Sequence, residues 1–290
     1  MGFEAITGPN FIVSTAASGD SSNRVADTAF VQTAATAAAA VPNVAVLRDY
    51  IAGLTLSTAG SSSTFSVAAG VATDSTTAQL MILSSSINKT TGSWTVGTGN
   101  GALDTGSIAA STWYHVFVIK RTDTGVVDIL ISTSVSSPTL PTNYTLSRRI
   151  GSMKTDGSKN WTLFVQVGDE FLWSVATLDI NNVALGTTVT AAGLNVPPGV
   201  QVIARMRGVF ANATLGTRCL ISSPDEASTA GGSLVSGDWT QNIIVSNQSH
   251  AFTIDVRTNT SQQVNTVASN ASTALVAVTY GWIDSRGRNA

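Results

Sequence analysis

Branched and aromatic residues recur at every second position along the stretch Trp113–Ser132, which reads WYHVFVIKRTDTGVVDILIS. This period of two is typical of β-strands, and it occurs on both sides of a polar turn at Arg121–Gly125. The glycine of that turn accommodates a positive φ. Because both faces of the two runs are mostly apolar, the pattern predicts a hairpin in the middle of a sheet, within a sandwich or barrel.

Short strand patterns separated by turn residues continue from Leu54 to the end of the sequence. A second tight hairpin is predicted where Trp161–Val167 and Phe171–Val175 flank a Gly-Asp-Glu turn. Many short strands at fairly regular spacing are typical of an antiparallel β-sandwich of jelly-roll type. The sequence therefore predicts one β domain over residues 54–290, or alternatively two smaller sandwiches that meet near residues 177–187. Further strands are predicted at Thr64–Val67, Gln79–Leu83, Gly92–Val96, Leu146–Met153, Thr187–Thr190, Val200–Phe210, Arg218–Ser222, Ala251–Arg257 and Ala274–Tyr280.

The first 53 residues have a different pattern and predict a short α-helical attachment region in front of the β domain. Residues 1–20 mix apolar residues with Gly, Pro and Ser and are interpreted as an extended arm. The alanine-rich residues 24–41 predict a helix that Pro42 ends. A second short helix is predicted over residues 43–53, between a capping asparagine and a terminating glycine.

Apolar residues of this second predicted helix follow the three-four spacing of a coiled-coil seam. The helix is too short to be stable alone, so the seam would pack against other subunits. Burial of the same residues against the chain's own β domain is the alternative, and the spacing does not distinguish the two. The candidates for oligomerisation are Phe30, Val44, Leu47, Ile51 and Leu54.

Composition narrows the possible partners. Charged residues make up 11% of the 290 residues and the formal net charge is -2. This balance gives no electrostatic reason to expect nucleic acid or an anionic membrane as a partner. Neither a signal peptide nor an apolar run long enough to span a membrane is expected. With Cys219 as the single cysteine and two distant histidines, no disulfide, metal site or cofactor is expected either.

The candidates for catalysis are few, and the sequence predicts no enzyme. His115 lies inside a predicted strand, where a packed histidine with a hydrogen-bond partner is the expected role, and His250 is predicted at a loop or strand edge. Asp128 and Asp255 are the acids within predicted strands, but nothing in the sequence brings them together as glycan hydrolysis requires. The GTGNG run at Gly97–Gly101 lacks the Lys-Ser/Thr of a phosphate loop and predicts a turn.

Two tryptophans are the candidates for carbohydrate contact. Trp94 and Trp239 lie among Gly, Ser, Thr and Asp, and aromatic faces beside polar groups are suited to stacking on sugar rings. Core packing is the expected role of Trp113, Trp161 and Trp173. The pair Arg148-Arg149 would bind an anionic glycan or form inter-subunit salt bridges with turn aspartates, and the second role is favoured.

Three segments resemble bacteriophage virion proteins. The run SSNRVADTAFVQTAATAAAA at Ser21–Ala40 resembles an N-terminal segment common in phage tail-fibre proteins. The middle, from Trp94 to Gly157, contains WTVGTGNGALDTGSIAASTWYHVFVIKRTDTGVVDILIST and PTLPTNYTLSRRIGSMKTDG and resembles a β-rich module of tail-fibre and virion-surface proteins. The ending GWIDSRGR at Gly281–Arg288 is similar to the terminus of the same group.

The resemblance implies a fibre or spike protein on the virion surface, generally a homotrimer, that often binds host surface polysaccharide. It implies attachment to other virion proteins through residues 1–53, and it supplies no catalytic residues. With only about fifty residues before the β domain there is no long shaft, which favours a short fibre or a head fibre. A purely structural head-fibre, decoration or fibre-attachment protein is the alternative, and a polysaccharide depolymerase is the less favoured one.

Overall fold

A computed structural model describes residues 48–76, 79–227, 241–242 and 248–288 of the chain. In this part the protein is mainly β, as the sequence predicts, with several sheets and no helix. The described residues belong to one compact unit, Leu47–Ala290. Within them no helix has the length and apolar character needed to cross a membrane. The predicted arm and first helix lie outside the described residues, as do Phe30, Val44 and Leu47.

Nineteen strands are present in the described part of the chain. They are β1 (Ile51–Gly53), β2 (Leu56–Ser57), β3 (Thr64–Val67), β4 (Gly70–Thr73), β5 (Leu80–Leu83), β6 (Ile87–Ser93), β7 (Gly101–Leu103), β8 (Trp113–Arg121), β9 (Val127–Ser132), β10 (Tyr144–Lys154), β11 (Phe164–Val167), β12 (Glu170–Leu185), β13 (Thr190–Gly193), β14 (Ile203–Ala211), β15 (Arg218–Ser222), β16 (Gln241–Asn242), β17 (Ser249–Arg257), β18 (Gln263–Ala268) and β19 (Thr273–Ile283).

The strands form four sheets. A three-stranded sheet has the order β1-β4-β5 and a seven-stranded sheet the order β10-β8-β9-β7-β6-β3-β2. The C-terminal half forms a five-stranded sheet, β11-β12-β19-β14-β17, and a four-stranded sheet, β13-β18-β15-β16. Most neighbours are antiparallel as predicted. However, β7 pairs in parallel with both β6 and β9, which the sequence analysis did not anticipate.

The predicted central hairpin is confirmed. Strand β8 lies between β10 and β9, and β9 lies between β8 and β7, so neither is an edge strand. Tyr114, Val116 and Val118 of β8 pack into the main core. On the other face Phe117 and Ile119 form a smaller apolar cluster with residues of β9 and β10. Burial on both faces explains why both faces of this hairpin are apolar in the sequence.

An aromatic cluster connects the seven-stranded sheet with the five-stranded sheet. Trp282 of β19 stacks on Phe171 of β12, with ring centroids 4.9 Å apart and planes at 7°. Its ring also lies 4.9 Å from Trp173 and 5.4 Å from Trp113 of β8. All four rings are buried, and Trp161 is buried nearby against Tyr114. The predicted core role of Trp113, Trp161 and Trp173 is therefore confirmed.

The residues after β19 are fixed by buried ion pairs. Asp284 accepts two hydrogen bonds from Arg149 of β10, at 2.6 and 2.8 Å. Arg286 donates from Nε to Asp169 at 3.0 Å and from Nη1 to the backbone oxygen of Gly53 at 3.2 Å. Asp284 and Arg286 are almost completely buried, so these two charged residues of the GWIDSRGR ending belong to the interior.

Two expectations for the start of the β domain need correction. The second predicted helix does not extend to Gly53, because Ile51–Gly53 form β1 and pair with β4. Ile51 and Leu54, the two described oligomerisation candidates, are buried in the main core of the same chain. This is the alternative that the spacing left open. A strand forms here because it pairs with β4 and buries Ile51 in the core of its own domain.

The proposed junction between two sandwiches near residues 177–187 is crossed by a continuous strand. The sequence predicts a strand over Phe171–Val175, whereas β12 runs from Glu170 to Leu185. It pairs with β19 along most of this length, with several irregularities in register. Apolar and polar residues do not alternate regularly between Ala176 and Asn182. The sequence pattern therefore does not show that the strand continues through this segment.

We expect Trp282→Ala to lower the free energy of unfolding by about 4 kcal/mol, because it removes a fully buried ring that contacts three other aromatic rings. Urea unfolding followed by circular dichroism measures the change. The control is Val175→Ala, at a side chain 79% exposed on the neighbouring strand, which should change stability by less than about 0.5 kcal/mol. Equal stabilities of the two variants would contradict the role of the cluster.

Candidate functional site

A cavity of about 750 Å³ lies on the outer face of the seven-stranded sheet, and Trp94 is one of its walls. We call it the Trp94 groove. Among the described residues, its lining combines two aromatic rings, apolar side chains, three threonines and one residue of each charge. The lining residues are Ser93, Trp94, Val96, Asp104, Arg121, Thr124, Val126, Thr139, Leu140, Pro141, Thr142 and Tyr144.

Trp94 is half-buried and held in a defined orientation. Its Nε1 donates a hydrogen bond of 3.1 Å to the backbone oxygen of Ile129 in β9. Its ring meets Tyr144 edge to face, with centroids 5.1 Å apart and planes at 76°. The indole N–H is thus satisfied inside the protein, and the remaining ring surface contributes an apolar wall to the groove.

Tyr144, at the start of β10, is the second aromatic wall. Its ring belongs to the apolar cluster of Phe117, Ile119 and Leu130 beneath the groove. Its buried hydroxyl has no hydrogen-bond partner among the described residues. Burial raises the pKa of Tyr144, and the negative charge of Asp128 raises it further, so the phenol remains protonated at neutral pH. The site therefore contains a hydroxyl whose hydrogen-bonding capacity is unused within the described chain.

A buried ion pair supports the loop that carries Trp94. Lys89 of β6 and Asp128 of β9 lie 3.2 Å apart, and both side chains are essentially inaccessible to solvent. Lys89 Nζ donates to the backbone oxygens of Thr95 and Gly97, at 2.7 and 3.2 Å. Asp128 Oδ2 accepts from the Gly97 N–H at 2.7 Å. Burial lowers the pKa of Lys89, whereas Asp128 acts in the opposite direction.

The opposite wall is the loop of residues 133–143, which connects β9 to β10. Asp104 holds this loop, because its Oδ2 accepts a hydrogen bond of 3.1 Å from the backbone N–H of Thr139. Arg121, at the end of β8, is paired with Asp123 in the β8–β9 turn. The groove therefore lies between two loops, each attached to the rigid sheet by a carboxylate.

The arrangement is suited to binding a sugar chain. A partly exposed indole offers a flat apolar surface for the C–H face of a pyranose ring, and threonine hydroxyls and Arg121 supply hydrogen bonds at its edge. The volume lies within the range of pockets that hold small ligands. No cluster of His, Cys, Asp and Glu that could hold a metal ion occurs among the residues with described positions.

The other residues considered in the sequence analysis do not lie together in one site. Trp239 lies outside the described residues. Asp128 and Asp255 lie in different sheets and face basic partners, Lys89 and Arg205, so they do not form a pair of acids. His250 lies in β17, 5.9 Å from the ring of Phe210. The run Gly97–Gly101 forms a turn that ends where β7 begins, as predicted.

The prediction for Arg148 and Arg149 is wrong with respect to their partners. An inter-subunit salt bridge was favoured, but both side chains have partners in the same chain. Arg149 pairs with Asp284, and Arg148 contacts Asp49 and the backbone oxygen of Arg286. The acids come from distant positions in the sequence, which no local pattern could indicate.

Sequence reasoning missed Lys89, Asp104, Arg121 and Tyr144. Lys89 gave the clearest signal that could have been used, since it occupies an inward position in a strand with Ile87, two residues earlier. A buried lysine needs an acid as its partner, because an unpaired buried charge is costly. Asp128, which lies inside an apolar strand, was the acid that could have been matched with it.

Comparisons with known proteins give no relative. A scan against protein-family models finds no match. Neither the curated proteins nor the solved structures contain a significant match to this chain.

We expect Lys89→Met to destabilise the protein by about 3 kcal/mol, because it leaves the buried Asp128 carboxylate without its cation. Equilibrium unfolding in urea measures the loss. Lys159→Met is the matched control, since Lys159 is exposed and should tolerate the change within about 0.5 kcal/mol. A loss at Lys89 no larger than in this control would show that the ion pair does not support the groove.

The buried imidazole of His115 leads us to expect that the protein loses stability in mild acid. Burial, and then the nearby charge of Arg149, lower its pKa to about 4, although Asp284 acts in the opposite direction. Its Nδ1 shares a hydrogen bond of 2.9 Å with Ser152 Oγ, which confirms the predicted packed role. In the unfolded chain histidine has a pKa of about 6.5. Between these values the unfolded state binds a proton that the folded state does not, so stability falls as the pH is lowered.

We therefore expect the unfolding free energy to decrease between pH 7 and pH 4.5 by about 2–3 kcal/mol more in the natural protein than in His115→Asn. Urea unfolding of both proteins at the two pH values measures this difference. The contributions of the carboxylates cancel in the comparison, except that of Asp284, whose pKa the charge of His115 also lowers. Identical pH dependence in the two proteins would show that His115 is not held neutral.

Proposed function

We propose that this protein is a fibre or spike component of a phage virion that binds host surface polysaccharide without cleaving it. The Trp94 groove is the observation that carries the proposal, because it joins a fixed aromatic surface to polar groups in a cavity of sugar-binding size. The resemblance of Trp94–Gly157 to a virion-surface module supports the same assignment. This segment contributes all the residues that line the groove except Ser93.

In this proposal the β domain is the distal, host-facing part and its sandwich is of jelly-roll type. Residues 1–53 attach it to other virion proteins, and three copies of the chain assemble. Shallow sites that bind sugar weakly gain avidity when they are repeated within a trimer and over many fibres on one particle. The protein would be assembled in the bacterial cytoplasm and exposed on the particle.

A purely structural role in a head fibre or decoration is the second candidate function. It is favoured by apolar residues exposed on the strands of the five-stranded sheet. Val165, Val167 and Leu178 are each at least half exposed, and Val209 is 38% exposed. Apolar surface of this kind is typical of contacts between copies of the same chain.

Binding of fluorescently labelled protein to intact host bacteria, and to bacteria stripped of capsule and O-polysaccharide, tests the proposal. We expect saturable binding that is lost on stripping. Thr142→Trp, at an exposed position in the groove wall, should block the cavity and weaken binding about tenfold or more. Thr145→Trp is the control, because Thr145 is exposed but does not line the groove.

Trp94→Ala should weaken binding similarly, provided that its thermal unfolding remains cooperative. Cell binding that Thr142→Trp and Trp94→Ala both retain would locate the sugar site elsewhere. No binding by the folded natural protein would overturn the adhesion function for that host and favour the structural role.

A further inference from the structure

A second cavity, of about 780 Å³, lies beside the buried ion pairs of the C-terminal segment. Among the described residues that line it, four are arginines and one is an acid. We call it the arginine cavity. The arginines are Arg48, Arg148, Arg149 and Arg286, and the acid is Asp49. The lining therefore carries a clear excess of positive charge.

The acids that pair with two of these arginines lie outside the lining. Arg149 is paired closely with Asp284, and Arg286 with Asp169, and neither acid borders the cavity. These ion pairs hold the two guanidinium groups in fixed positions. A guanidinium that is already fixed loses less conformational freedom when an anion binds in the cavity.

Arg148 is the least neutralised of the buried arginines. Its side chain is 5% exposed, yet its contacts with Asp49 are long, at 3.4 Å to the carboxylate and 3.5 Å to the backbone oxygen. Close charge-assisted hydrogen bonds measure about 2.7–2.9 Å. Burial lowers the pKa of Arg148, and although Asp49 opposes this shift, the charges of Arg149 and Arg288 add to it. A buried cation in these surroundings would be stabilised by an additional anion.

The rest of the lining is neutral and suited to a sugar. Ser75, Thr76, Ser136 and Ser147 contribute hydroxyls, and Phe117 contributes an aromatic wall. Phe117 also belongs to the apolar cluster that contains Tyr144 of the Trp94 groove. The two cavities share one loop as well, because Val135 and Ser136 border the arginine cavity and residues 139–142 border the groove.

We propose that the arginine cavity binds the carboxylate of an acidic saccharide residue, so that the polysaccharide recognised by this protein is anionic. A guanidinium matches a carboxylate in planar geometry, and the surrounding hydroxyls match those of the sugar ring. This inference rests on the proposed adhesion function. It adds a second contact area next to the first and defines the charge class of the ligand.

Titration with glucuronate, with glucose as the neutral probe and inorganic sulfate as the bare anion, tests this inference. Nuclear magnetic resonance of the arginine Nε–H groups in the full chain reports binding. We expect glucuronate to shift the arginine signals, sulfate to act more weakly and glucose to have no effect. The glucuronate affinity should fall as the salt concentration rises.

Ser136→Glu supplies the decisive variant. Ser136 is exposed and lines the cavity, so the new carboxylate should occupy the positive region and weaken glucuronate binding about tenfold. Ser137→Glu is the matched control, because Ser137 is also exposed but does not line the cavity. It should leave the affinity unchanged.

Absent arginine shifts with glucuronate, or equal effects of glucuronate and sulfate, would overturn the assignment to a saccharide. An equal loss in the two glutamate variants would also overturn it. Thr142→Trp separates this inference from the proposed function, because it alters only the Trp94 groove. If that variant abolishes cell binding while glucuronate fails to bind, the result supports the adhesion function and contradicts the acidic ligand. If glucuronate binds but Thr142→Trp leaves cell binding intact, the groove assignment falls instead.

Discussion

The stacking of Trp282 on Phe171, with Trp113 and Trp173 against it, is the contact on which the rest of the structure depends. It joins β8 of the seven-stranded sheet to β12 and β19 of the five-stranded sheet. The crowded backbone of Gly281 shows how close this approach is, since a Cβ there would lie 2.4 Å from the Phe171 backbone oxygen. With the aromatic rings in place, the following residues reach Arg149 and Gly53, so the two ends of the described chain are fixed together.

The outer face of the seven-stranded sheet, which lies opposite the main core, carries a second and smaller apolar cluster. Phe117, Ile119, Leu130 and Tyr144 form a small apolar layer there. This layer is covered by the loop that carries Trp94 and by residues 133–143, not by another sheet. The walls of the Trp94 groove are therefore largely loops on a rigid, close-packed base, whereas Arg148 and Arg149 of the arginine cavity belong to strand β10 itself.

The sequence was sufficient for the β class, the two hairpins and the internal roles of Trp113, Trp161, Trp173 and His115, because period-two alternation reports burial locally. It was insufficient wherever partners are distant in the chain. The parallel pairing of β7, the intrachain acids of Arg148 and Arg149, and the pair Lys89–Asp128 all depend on contacts between separated strands. Trp94 was identified by its local composition, but the groove around it was not, since its walls come from four separate segments.

The loop of residues 133–143 borders both cavities, and its Thr139 N–H donates a hydrogen bond to Asp104 beside the sheet. Exchange of this one loop would therefore alter the apolar and the cationic contact areas together while every strand pairing stayed intact. Under the proposed adhesion function, such a segment would be a unit of variation in ligand preference. A replacement loop would need an apolar side chain in place of Leu140, which packs against the small apolar cluster of the sheet.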